Sequence, residues 1–174
     1  MGTDEGEWTM GDEVGRSPYL PPRWFIHLAW RVHRALYRAT GGRIGLWQPR
    51  GTKWGTLRLT VPGRRTGRER SVLLGYVEDG PNLVTLAMNG WGEGEPAWWL
   101  NLQAHPQAQV ELHGGSRQVS AHAATGAERE RLWARWRVTD ENLDAFAARR
   151  PSETAVVVLE PVSASRAAGG AAGD

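Results

Sequence analysis

The 174-residue chain contains no cysteine. That excludes a disulfide scaffold, cysteine-ligated zinc, an iron–sulfur cluster and a thiol nucleophile, and it is compatible with a reducing cytoplasm. No apolar run approaches the ~18 residues that a membrane-spanning helix needs. Residues 1–15 carry five acids and no base, the opposite of a secretory leader. There is no internal repeat, no Gly-x-x-x-x-Gly-Lys-Ser/Thr phosphate loop, no Gly-x-Gly-x-x-Gly between strand and helix, and no Gly-x-Ser-x-Gly elbow. His27 and His33 are six residues apart, off a shared helical face, and His105, His113 and His122 lack ligand spacing with carboxylates. No metal site is expected. Glu93 and Glu95 do not form an acid–base pair; they fall in a Gly-rich loop where solvation is expected. What remains is chemistry that needs no protein nucleophile, namely redox chemistry carried by a bound cofactor.

The residues that are present give a globular composition, 40% apolar and 23% charged, in a length that suits one domain. The net charge is only +2, but it is unevenly spread. Residues 16–70 carry Lys53 and twelve arginines against Glu69 alone, while residues 71–174 carry eight bases against 13 acids. So cationic a segment suggests an anionic partner. Ten tryptophans exceed what a core of this size needs, so several are expected to line a cavity for something flat or apolar.

Residues 1–17 are acidic and Gly-rich and read as disordered. Residues 163–174 are Ala/Gly/Ser-rich and read as a frayed tail. Between them, 18–162 reads as one domain. Pro21-Pro22 precede a helical pattern from Arg23 to Thr40, with Phe25, Leu28, Ala29, Val32, Ala35, Leu36 and Ala39 on one face and arginines on the other. It is either a helix packed on the core with a solvated basic face, or one resting on anionic lipid with Trp24 and Trp30 at the interface. From Thr56 the period becomes two: Leu57, Leu59 and Val61 alternate with Arg58 and Thr60. Further strands are expected over Ser71–Val77, Leu83–Ala87, Ala108–His113, Arg117–Ala123 and Ala155–Leu159. Helices are expected over Ala97–Gln103, Gly126–Val138 and Asp140–Ala148, the last capped by Asp140 or Thr139. Six strands, mostly hairpin-linked, with helices at the start and middle, point to a mainly β (α+β) fold, a small antiparallel barrel with peripheral helices.

Two stretches carry chemistry. The run Pro62-Gly-Arg-Arg-Thr-Gly-Arg-Glu-Arg70 joins two strands and so sits at a barrel mouth. Its glycines expose backbone amides, its arginines offer planar multi-donor recognition of phosphate or carboxylate, and Thr66 adds a hydroxyl. It fits an anionic cofactor tail, a solvated turn, or contacts to nucleic-acid phosphates. The second stretch runs Ala87-Met-Asn-Gly-Trp-Gly92, then Pro96-Ala-Trp-Trp-Leu-Asn-Leu102. Trp98 and Trp99 point about 100° apart on a helix, so one packs while the other is free to flank a planar ring. The helix-start amides of Ala97 and Trp98 favour an anion or a polarised carbonyl; two core tryptophans are the alternative.

The run Thr60–Arg70, followed in order by Asp79-Gly80, Pro96–Leu102 with His105-Pro106, Glu128-Arg129, Leu132-Trp133 and Val156–Pro161, resembles the deazaflavin (coenzyme F-420)-dependent nitroreductase family of the flavin/deazaflavin split-barrel oxidoreductases. The match spans about Arg34 to Pro161 and includes the Leu36-Tyr37-Arg38 and Gly41-Gly42-Arg43 entry. The resemblance implies a split β-barrel, an actinobacterial source, and hydride transfer from reduced coenzyme F-420 to a small apolar, electron-poor acceptor such as an enone, quinone or nitro compound. It implies that Arg64, Arg65, Thr66, Gly67 and Arg70 hold the coenzyme's phosphate and oligoglutamate tail, joined by Lys53. It implies that Ala87, Met88, Asn89, Gly90 and Trp91, with Trp98 and the start of its helix at Ala97, hold the deazaflavin ring.

Four positions depart from the family pattern, three of them from its nitroimidazole-reducing member. Met88 stands where that enzyme has a serine, Leu143 and Phe146 stand where it has tyrosines, and Trp99 replaces a tyrosine. The loss of tyrosines predicts a drier pocket and leaves Tyr76 as the phenolic proton donor; barrel packing is the other reading of Tyr76. Alternatives to catalysis are a coenzyme F-420 storage protein and an FMN or haem protein of the same barrel type. The expected partners are a small-molecule substrate, no nucleic acid, a peripheral membrane contact through the first helix, and a monomer or homodimer in the cytoplasm.

Overall fold

The computed structural model describes residues 45–162. The helix expected over Arg23–Thr40, with its membrane reading, and both terminal segments lie outside the described residues.

Six strands are present: β1 (Gly55–Pro62), β2 (Glu69–Asp79), β3 (Asn82–Leu86), β4 (Gln107–Leu112), β5 (Gly115–Ala123) and β6 (Val156–Pro161). They close into an antiparallel barrel in the order β1-β2-β3-β6-β5-β4, with β4 pairing back onto β1. Three helices accompany it: α1 (Ala97–Ala104), α2 (Gly126–Thr139) and α3 (Leu143–Ala147). The split-barrel expectation holds.

The alternation in β1 works as the pleat requires. Leu57, Leu59 and Val61 are fully buried in the barrel interior, while Arg58 and Thr60 face outward and bond Glu111 and Ser71. The uninterrupted apolar run of β6 has a different cause. Val157 and Leu159 join the interior cluster, whereas Val156 and Val158 join a second cluster with Leu132 and Trp136 of α2 and Leu143 of α3. A strand covered on both faces cannot alternate with polar residues.

The ladder between β1 and β2 runs from Gly55↔Tyr76 to Pro62↔Glu69, so β2 begins at Glu69 rather than Ser71 and carries Arg70 on a strand. Pairing right up to the hairpin loop fixes where its arginines emerge. The last helix also starts later than expected, at Leu143. Asp140 holds extended backbone at the end of α2, and its Oδ1 accepts the Asn142 N–H at 3.0 Å, a turn that must complete before helix can resume.

α1 seals one end of the barrel. Trp98, Trp99 and Leu102 all enter the interior cluster, and the helix touches β1, β2 and β5. This seal sets the β1–β2 loop beside the start of α1, and the candidate site is built at that junction.

Candidate functional site

A cavity of about 730 Å³ opens where the β1–β2 loop, the adjoining stretches of β2 and β3, the segment after β3 and the start of α1 meet. One wall is cationic. The loop folds on itself: Gly67 N–H donates to Gly63 O at 2.7 Å and Gly63 N–H to Arg68 O at 2.9 Å. Gly67 sits at φ +67°, a left-handed conformation that glycine adopts without steric cost. Asn101 of α1 fastens this loop. Its Oδ1 accepts from the Arg64 backbone N–H at 3.2 Å and from Arg64 Nη1 at 3.3 Å, and its side chain is buried. Arg64, Arg65 and Arg70 therefore line one rim with Thr66, all exposed. Among the described residues no carboxylate is ion-paired to these three guanidiniums. Three like charges at one rim without an ion-paired carboxylate have the chemistry to attract a polyanion.

The rest of the cavity is apolar. Val72, Leu73, Leu74 and Gly75 of β2, Leu86 at the end of β3, and Pro96 line it. Trp98 lines it from α1 while Trp99 does not, so the adjacent tryptophans divide their roles as helical geometry predicts. Met88, Asn89, Gly90 and Trp91 form the remaining wall. They make a left-handed turn, with φ of 47° at Asn89, 61° at Gly90 and 60° at Trp91. Asparagine and glycine tolerate this region, whereas a tryptophan there is strained and must be held by its surroundings.

Ten of the sequence-predicted residues thus converge on one cavity: Arg64, Arg65, Thr66, Arg70, Met88, Asn89, Gly90, Trp91, Ala97 and Trp98. Four do not line it. Lys53 is exposed in a bridge with Arg50 before β1. Gly67 shapes the loop behind the rim. Ala87 is fully buried in the barrel interior, its N–H donated to Ala155 O. Tyr76 is 1% exposed in the same interior, and burial pushes its hydroxyl pKa up to about 12, with Glu78 adding to the rise and Arg117 opposing it. Its surroundings are those of a packing residue. Leu143 and Phe146 are not cavity walls either. Leu143 lies in the outer cluster, and Phe146 stands behind Trp91, ring centroids 6.0 Å apart. Neither dries the pocket directly, and Phe146 touches it only through Trp91. Glu95 is not solvated as expected; its Oε1 pairs at 3.3 Å with the buried Arg150. No group of His, Asp and Glu that could hold a metal exists among the described residues.

Residues 29–161 match the sequence model of the F420H(2)-dependent quinone reductase family. The chain belongs to this family. Relatives include an F420H(2)-dependent quinone reductase found in two strains of Mycobacterium tuberculosis, 33% identical over 113 residues, which are 64% of this chain and 73% of the relative. Among solved structures, one described as a domain-swapped dimer superposes with a TM-score of 0.59 at 22% identity, covering 78% of this chain and 98% of the other. An F420-H2-dependent reductase superposes with a TM-score of 0.56 at 23% identity, covering 60% and 93%. These structures support the barrel fold. As a quinone reductase family member the chain is an oxidoreductase whose cofactor is coenzyme F-420. The donor set fits that group: an uncompensated arginine rim for a phosphate-and-glutamate tail, continuous with an apolar, tryptophan-bearing chamber for a flat ring.

Sequence reasoning missed Asn101 and Arg150. Asn101 follows two tryptophans in a helix with no periodicity to mark it, and Arg150 reads as one more surface arginine before a proline. Only the tertiary fold gives either side chain its partners.

Proposed function

We propose that this protein transfers a hydride from reduced coenzyme F-420 to a small, apolar, electron-poor acceptor, with quinones as the preferred class. The observation that carries this reading is the continuity of the arginine rim with the apolar chamber in one cavity. The names of the relatives support it. Arg64, Arg65 and Arg70 bind the anionic tail, and Trp98 and the Met88–Trp91 turn bound the space left for the ring. When bound, the coenzyme supplies a two-electron hydride donor that does not stably pass single electrons.

The cavity walls favour a quinone for a chemical reason. Apart from the three arginines, no ionisable side chain among the described residues lines the cavity. An arginine does not give up its proton at physiological pH, so none of the described lining side chains serves as a strong general acid. Hydride addition to a quinone leaves a phenolate-type anion, whose conjugate acid has a pKa near ~10. Water at the open mouth protonates such an anion without help. A lone enone leaves a far more basic enolate, which a general acid would serve. The hydroxyl of Thr85 is already donated to Gly75 O at 2.8 Å, so it is not free to take that role.

The test mixes protein loaded with reduced coenzyme against a benzoquinone, a cyclic enone and a nitroimidazole, following the return of oxidised-coenzyme absorbance. Turnover fastest with the quinone is expected. Tight coenzyme binding with no oxidation by any acceptor would identify a storage protein instead.

A further inference from the structure

We propose that Arg150 is the positioning residue that holds the Met88–Trp91 wall of the cavity in its left-handed turn. The inference rests on the reading of this cavity as the coenzyme site, and it concerns a residue that does not itself line the cavity.

The Arg150 side chain is fully buried. A guanidinium has five N–H donors, and all five find acceptors. Nε donates to Gly92 O at 3.1 Å. Nη1 donates to Ala87 O at 2.7 Å and to Thr154 Oγ1 at 2.9 Å. Nη2 donates to Gly94 O at 3.0 Å and to Glu95 Oε1 at 3.3 Å. Three of these acceptors are main-chain carbonyls that flank the Asn89–Trp91 turn, Ala87 on its entry side and Gly92 and Gly94 on its exit side. One planar cation therefore fixes both ends of the turn.

That turn needs an external hold. Its residues lie in the left-handed region and one of them is a tryptophan, a conformation that persists only where surroundings over-determine it. Within the turn the support is slight: Trp91 N–H to Met88 O, Gly92 N–H to Asn89 O, and Asn89 Nδ2 to Glu93 O. Arg150 supplies the rest, and Phe146, in α3 just before Arg150, backs Trp91. Lysine cannot replace it. An ammonium has three donors around one point and cannot reach five acceptors spread along a planar fork.

The experiment uses the full chain with Arg150→Lys. Hydrogen exchange of the amides in residues 87–95 is measured without coenzyme, and the Kd of oxidised coenzyme F-420 is measured well below the thermal midpoint. Exchange in 87–95 should speed up about tenfold or more while β1 and β4 stay protected, and Kd should rise about tenfold, the loss of one or two hydrogen bonds to a charged group. A residue that only adds stability would lower the thermal midpoint and leave the Kd of the folded protein unmoved. Unchanged local exchange, or faster exchange with unchanged Kd, overturns the proposal. If Arg150→Lys does not fold, Thr154→Val is decided by the same readouts at about threefold, since it removes one acceptor and keeps the charge. If the wild-type protein fails to bind the coenzyme, the cofactor reading falls, and the exchange experiment still tests the clamp.

Discussion

Tyr76 shows how a single residue divides between two readings until its neighbours are known. On the sequence it is a phenol one strand away from a basic loop, a reasonable proton donor. In the barrel it is enclosed, opposite Gly55 of β1, and a Cβ on Gly55 would lie 2.7 Å from the Tyr76 ring. Such packing explains the raised pKa, because burial penalises the phenolate. The folded-state value of about 12 lies above the ordinary 10. The stability linked to this group is therefore complete below about pH 10 and is lost as pH rises toward 12. The loss amounts to at most about 3 kcal/mol. Tyr76→Phe should flatten the decline between pH 10 and 12, read as the difference in urea midpoint between the two proteins at pH 9 and pH 11.5. It should leave coenzyme affinity at neutral pH unchanged. A variant with the wild-type alkaline profile and weakened coenzyme binding would restore Tyr76 to the site. The arginines of the rim were legible at this same scale because guanidinium chemistry does not depend on neighbours to be cationic. Arg150 was not, because a buried arginine and an exposed one look alike in a sequence.

At the scale of elements, the strands were readable wherever one face meets core and the other water, as in β1, and also where both faces are covered, as in β6. Helix ends were less readable, since α3 begins only after the Asp140 turn has closed. The contact that matters most for the site joins two elements remote in sequence. Asn101 on α1 takes two hydrogen bonds from Arg64 on the β1–β2 loop, and no local pattern announces that. A buried carbonyl group that serves a backbone amide and a guanidinium at once fixes the loop relative to the helix. Asn101→Ala leaves both donors unpaired. About 1–3 kcal/mol is expected to go from loop order or global stability, with a several-fold rise in coenzyme Kd, since Trp98 on the same helix lines the chamber. The measurement is a coenzyme titration followed by quenching of tryptophan fluorescence, with a thermal melt on the same sample. Asn101→Asp should recover loop order and stability, because a carboxylate accepts the same two bonds more strongly, but only part of the affinity, because its charge offsets Arg64 and opposes the anionic tail. Failure of Asp to do better than Ala would mean that the loop does not depend on this fastening.

Across the whole molecule the informative quantity is the placement of charge. The pairings that close the barrel, β3 with β6 and β4 with β1, join segments far apart in the chain, so they follow from the family pattern rather than from local periodicity. The excess of arginine before residue 71 is plain in the sequence, and the fold places part of it, Arg64, Arg65 and Arg70, at one rim of the cavity while Arg58 is consumed by Glu111. The α2 arginines are consumed likewise: Arg131 pairs with Asp79, holding that carboxyl below its usual range, and Arg137 pairs with Asp144. The unpaired rim is exposed, so each of its contacts to an anionic tail is worth about 0.5–1 kcal/mol and is screened by salt. Three such contacts predict a coenzyme affinity that falls roughly tenfold between 0.05 and 0.5 M salt. The double variant Arg65→Ala, Arg70→Ala should bind more weakly at low salt and lose most of that salt dependence, while its affinity at high salt approaches that of the wild type. A nucleic acid bound at the same rim would show a similar slope, so a duplex oligonucleotide is added as competitor at moderate salt. Coenzyme binding should withstand it, because the proposed seat of the ring in the apolar chamber adds contacts that a phosphate backbone does not make. A wild-type affinity that ignores salt would mean that the tail does not lie on these arginines, and that the cationic rim serves some other anion.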